Sequence, residues 1–126
     1  MTSQEVSTWL AGQTQHNRAG IGGLREIVRS VDVPWVETIK WNAPNFALGG
    51  EDRVTLGVER RGGWRVVLHR GAAAKADGFA FEDASGLARW PSPDRGVVTI
   101  RDPADLDAKA TALAELIGRW VRAAAA

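Results

Sequence analysis

The hydrophobic period of this chain changes twice, and that change limits the folds open to it. Ile21, Leu24, Val28 and Val31 recur at spacings of three and four, the stripe of one helix face. Val54, Leu56 and Val58, then Trp64, Val66 and Leu68, recur at every second position, as on the buried side of a strand. Leu106, Ala110, Leu113, Ile117 and Trp120 return to helical spacing. Helices, then strands, then a helix is the order of a two-layer α+β domain, in which an antiparallel β-sheet is packed by N-terminal helices and a C-terminal helix. With 126 residues and no internal repeat or linker, one domain over residues 1–126 is expected.

Caps and breakers divide the chain further. Val6, Trp9, Leu10 and Gln13 share one side of a helix starting near Gln4, with Ser3 able to cap it. Asn17 is the expected cap of the second helix, which reaches Val31. Gly20, Gly22 and Gly23 would each cost about 1 kcal/mol inside it, so either the helix begins after them or a neighbour packs closely there. Pro34 suits the first turn of a short helix running through Glu37 to Trp41, which would set Glu37 and Trp41 on one face. Pro44 ends it and leaves residues 42–46 extended or turning. Arg60-Arg-Gly-Gly63 reads as the turn of an antiparallel hairpin. Residues 71–78 read as a helical turn or an irregular connection, and residues 87–90 and 97–101 as strands flanking a loop over 91–96. Asp102 and Pro103 open a closing helix of about five turns, with the Ala tail after Arg122 fraying.

Composition excludes several classes of function. The chain has no Cys, so disulfides, thiolate metal sites and a thiol nucleophile are ruled out. Sixteen basic and fifteen acidic residues leave a net charge of +1, which gives no general field for nucleic acid or an anionic membrane. Nucleic acid is therefore disfavoured as a partner, although Arg60, Arg61, Arg65 and Arg70 with Trp64 form a local basic patch. The first ten residues carry no secretory pattern and no stretch is apolar enough for a membrane span, so a cytoplasmic protein is expected. A sheet with an uncovered face or free edge leaves a homodimer open.

Most chemical motifs are missing. Gly20-Ile-Gly-Gly-Leu-Arg25 lacks the third Gly of a dinucleotide fingerprint and the Gly-Lys ending of a phosphate loop, and no Gly-x-Ser-x-Gly elbow is present. His16 and His69 belong to no metal-ligand spacing, and no metal ligands are assigned. Asp102, Asp105 and Asp107 are explained by the helix start they occupy, and Glu82-Asp83 reads as a solvated pair, with or without Asp77. His69 falls on the strand face opposite Trp64, Val66 and Leu68, where it either lines a cleft or meets solvent. What remains is the segment Glu37-Thr-Ile-Lys-Trp-Asn-Ala-Pro-Asn-Phe46, which concentrates a carboxylate, an ammonium, two aromatic rings and two amides. A carboxylate beside Trp in a dry cleft can act as an acid or base, while Lys40 or Arg70 would attract an anion. Core positions for Trp41 and Phe46, with Glu37 and Lys40 solvated, explain the segment equally well.

That segment resembles the signature of the YdhG-like family, small bacterial proteins grouped by fold and not by reaction. The resemblance extends from about Leu24 to Trp120 and also rests on Leu24-Arg-Glu-Ile-Val28, the strand pair ending at Leu68-His69, and the late strand and closing helix. It implies a two-layer α+β domain. It also brings in an iron-handling role, because some members are named frataxin-like iron chaperones; that role depends on exposed acidic surface, which this near-neutral chain does not show. The expected function is a non-enzymatic binding module for a small anionic ligand or a protein partner. Its expected site lies near Glu37, Lys40, Trp41, Phe46, His69, Arg70 and Trp90, with no cofactor. The alternatives are an iron-binding chaperone using carboxylates and His69, and a small enzyme with Glu37 as acid or base.

Overall fold

A computed structural model of the chain describes residues 4–71 and 78–125. The elements run α1 (Gln4–Ala11), α2 (Gln15–Ser30), β1 (Val36–Lys40), β2 (Ala43–Leu48), β3 (Glu51–Val58), β4 (Trp64–Leu68), β5 (Arg89–Ser92), β6 (Arg95–Ile100) and α3 (Pro103–Ala125). The strands form one antiparallel sheet in the order β1-β2-β3-β4-β6-β5. The fold is the expected α+β one, with helices laid on the sheet.

Strand alternation decides which side chains meet the helices. Phe46, Val54, Leu56, Trp64, Val66, Leu68, Val98 and Ile100 form the inner face and pack on Ile21, Leu24 and Val28 of α2 and on Leu113, Leu116, Ile117 and Trp120 of α3. This packing explains Gly20 and Gly23 of α2, while a Cβ at Gly22 would meet nothing within 4 Å. A Cβ at Gly20 would lie 2.0 Å from the Trp64 ring, and one at Gly23 would lie 2.7 Å from Leu106. The helix therefore runs through them and is capped earlier than expected, at Thr14, whose Oγ1 accepts from the Asn17 N–H at 3.1 Å. The Ser3 cap proposed for α1 lies outside the described residues.

Residues 34–41 form no helix. Residues 36–40 are β1, with Val36, Thr38 and Ile39 β-branched and every residue of the strand paired to β2. A helix of two turns is too short to hold itself together in competition with that ladder. Glu37 and Trp41 consequently do not share a face. Two further boundaries move: β5 and β6 extend until only Pro93 and Asp94 separate them, and α3 continues through the Ala tail to Ala125. That tail does not fray, because Ala124 is buried and its carbonyl accepts from Arg53 Nη2 at 3.5 Å. Most of the connection expected over 71–78 falls outside the described residues. Among those described, no helix is long and apolar enough to cross a membrane.

Candidate functional site

The β1–β2 hairpin turns on two residues. Lys40 pairs with Ala43, leaving Trp41 at φ 53° and Asn42 at φ 58°. Both angles are left-handed, as the tight hairpin turn matching sheet twist requires. Asn adopts that backbone readily, whereas a bulky aromatic does so at a cost on the order of 1–3 kcal/mol. Burial does not compensate for it, since Trp41 is 65% exposed. The turn is held from α1: Trp9 Nε1 donates to Asn42 Oδ1 at 3.2 Å, and the Ile39 N–H donates to Glu5 Oε1 at 2.7 Å.

Trp41 reaches over the sheet face that carries no helix among the described residues, where its ring centroid lies 6.2 Å from that of His69. Beneath it runs a continuous polar chain whose donor directions are fixed. Lys40 Nζ donates to Asp52 Oδ2 at 2.7 Å, and Asn45 Nδ2 donates to Asp52 Oδ1 at 2.9 Å. The amide of Asn45 is thereby oriented, so its Oδ1 faces Thr55 and accepts the Thr55 hydroxyl proton at 2.7 Å. Thr55 Oγ1 then accepts from His69 Nε2 at 2.8 Å, while His69 Nδ1 accepts from the Gly71 N–H at 3.1 Å. One tautomer satisfies every bond: neutral His69 with its proton on Nε2.

The titration behaviour of the chain agrees with that assignment. Burial, reinforced by the cations of Arg95 and Arg53, holds the His69 imidazole below its ordinary range against the opposing pull of Asp52. Burial works against the charge of Asp52, but the hydrogen bonds from Lys40 and Asn45 outweigh it and keep the carboxyl below the usual carboxylate range. Thr55 lacks a free base to activate it, because its own proton is given to Asn45 and the imidazole nitrogen beside it already carries a proton.

Between the Trp41 ring and β6 lies a cavity of about 210 Å³ lined by Trp41, Ala43, Thr55, Leu56, Arg65, Val67, His69 and Arg95. Arg65 lies flat across the sheet because residue 57 is Gly; a Cβ there would come within 2.6 Å of the guanidinium carbon. Its Nη1 donates to the Val58 carbonyl at 3.1 Å. Arg95 is exposed and, among the described residues, its side chain makes no hydrogen bond or ion pair.

The structure brings together Lys40, Trp41 and His69 of the expected site and separates the other four. Glu37 points to the inner face, where Arg25 Nε lies 2.6 Å and Arg29 Nε 3.4 Å from its carboxylate; with a side chain 2% exposed, it is a structural ion-pair partner with no access to a ligand. Phe46 is fully buried core. Arg70 lies 4.1 Å over the Phe79 ring, and Trp90 packs against Phe81 and Trp120, both away from the Trp41 cavity. The basic patch also divides, with Arg65 on the outer face, Trp64 in the core and Arg60 and Arg61 near the hairpin tip. Asp83 is not simply solvated: Trp90 Nε1, the Ser85 hydroxyl and the Ser85 and Ala88 N–H groups all donate to it. Sequence reasoning missed Asp52, Thr55, Arg65 and Arg95 as site residues. A usable signal existed for Thr55 and Arg65, which fall on the same alternation as His69 and not on that of the apolar positions.

Among the described residues no three His, Asp or Glu side chains gather as a metal-binding group. No family model matches the chain, and no solved structure matches it. An alignment of 68 positions that covers 49% of the chain is 41% identical to part of a UDP-3-O-acylglucosamine N-acyltransferase from Alkalilimnicola ehrlichii. The match spans 19% of that protein's length, and at that coverage it carries no activity across.

Proposed function

We propose that this protein is a non-enzymatic binding module of the YdhG-like type, which holds a small ligand in the cavity under Trp41. The observation that carries the reading is Trp41 itself: a large aromatic held exposed, in backbone that disfavours it, at the mouth of a cavity. Strain of this kind is kept where a side chain is needed in place. Binding is favoured over turnover because Thr55 and His69 are locked into a chain of satisfied hydrogen bonds, and because Glu37, the alternative acid or base, is buried in its arginine pair. The iron-handling alternative needs carboxylates free to join His69. The carboxylate linked to His69, Asp52, already accepts from Lys40 and Asn45.

A thermal-shift and NMR screen of the full chain against small organic acids, nucleotides, sugar phosphates and divalent metals tests the reading. A hit whose binding moves the Trp41 indole resonance and is lost in Trp41→Asn supports it. Ferrous ion binding that disappears when Asp52 is neutralised would replace it with the iron reading, and a silent panel with a captured protein partner would move the function to protein recognition.

A further inference from the structure

Resting on that binding reading, we infer that the ligand is a single-ring aromatic anion, stacked on Trp41 with its acidic group between Arg65 and Arg95. Size sets the first limit, since about 210 Å³ is below the roughly 300–1,000 Å³ of pockets for drug-sized ligands. One ring with one acidic substituent suits it. Shape sets the second. The indole of Trp41 forms one wall and the sheet forms the floor, where Ala43 and Val67 are short enough to leave a slot for a flat body.

Charge sets the third limit. Arg65 and Arg95 occur on neighbouring strands on either side of Val67, which pairs with Val97 in the β4–β6 ladder. The acids nearby are largely committed: Asp52 to Lys40 and Asn45, and Glu51 to Arg53 at 2.7 Å. The Arg95 side chain has no partner among the described residues, and Arg65 uses Nη1 for both the Val58 carbonyl at 3.1 Å and a loose contact with Glu59 at 3.5 Å. Two guanidinium groups with free donors lining a slot that also has an aromatic wall match a ring that bears a carboxylate or a comparable planar anion. The polar chain contributes by consuming other donors and acceptors. His69 Nε2 and the Thr55 hydroxyl proton are both engaged, so recognition falls to the arginines and the ring.

Matched probes test this on the full chain by two-dimensional NMR: benzoate and nicotinate, their uncharged amides benzamide and nicotinamide, and cyclohexanecarboxylate. The aromatic acids should bind at least about tenfold more tightly than the amides, as the loss of a charge-assisted hydrogen bond implies. Arg95→Gln, an exposed change that leaves no buried group unpaired, should erase that preference. Cyclohexanecarboxylate should bind less tightly than benzoate, and Trp41→Asn should remove the difference. Amides that bind as well as acids, or an Arg95→Gln protein that still prefers acids, would overturn the inference while leaving the binding reading intact. If the broad panel yields ligands at Trp41 but none of the aromatic acids binds, the inference also falls alone. If nothing binds at Trp41 in either set, both fall.

Discussion

The two faces of the sheet are built from the same strands yet obey different rules. The inner face is apolar, covered by α2 and α3, and the buried Glu37 carboxylate on it is paired with Arg25 and Arg29. The outer face has no helix over it among the described residues, holds a hydrogen-bonded chain from Lys40 to His69, and supports an exposed Trp in a strained turn. Residues 37–46 serve both. Because strand neighbours point to opposite sides, Glu37 and Phe46 belong to the inner face, Lys40 and Asn45 to the outer, and Trp41 and Asn42 to the turn between them. A contiguous motif is thus half fold determinant and half candidate site, and its residues should respond differently to substitution.

The largest effects belong to the inner face. Phe46→Ala should cost about 3–5 kcal/mol in urea unfolding, from lost burial and the cavity left behind. Glu37→Ala should cost a similar ~3–5 kcal/mol, because it leaves the buried Arg25 guanidinium without its counter-charge. A tolerated Glu37→Ala that instead changed ligand affinity would break the division between the faces. On the outer face Thr55→Val should cost less, about 1–3 kcal/mol, by stranding His69 Nε2–H and the Asn45 carbonyl oxygen.

A smaller effect is expected from pH. His69 takes up a proton less readily when folded than when unfolded. The unfolded chain therefore binds more protons as pH falls through about 6.5, and stability declines below that point until the folded imidazole also titrates. Asp52 acts in the same direction at lower pH, where its hydrogen bonds are lost as the carboxyl protonates. His69→Gln should flatten the stability profile as pH falls through about 6.5 and leave the later, carboxylate-driven loss in place. An unchanged slope in that variant would show that His69 is not held neutral by the chain.

The layer architecture was legible because it depends on periodicity that single residues cannot disguise: three-and-four spacing in α2 and α3, alternation in β3 and β4. The β1 segment was misread because Pro34 and the spacing of Glu37 and Trp41 also fit a helix, and only pairing with β2, a contact between segments, decides against it. The same limit governed the site. Trp41, Lys40 and His69 stood out by residue type, while Asp52 and Arg95 became members only when β3 and β6 were placed beside the hairpin. Arg70 and Trp90, equally conspicuous in sequence, were drawn into aromatic contacts with Phe79 and Trp120.

The central claim is that Trp41 is kept for its ring and against the preference of its backbone. Equilibrium unfolding of Trp41→Asn tests it most directly, since Asn favours the left-handed position in such a turn. The account predicts a protein about 1 kcal/mol more stable than the parent. A variant that unfolds more easily would contradict it, by showing that Trp41 is held there for the stability of the hairpin.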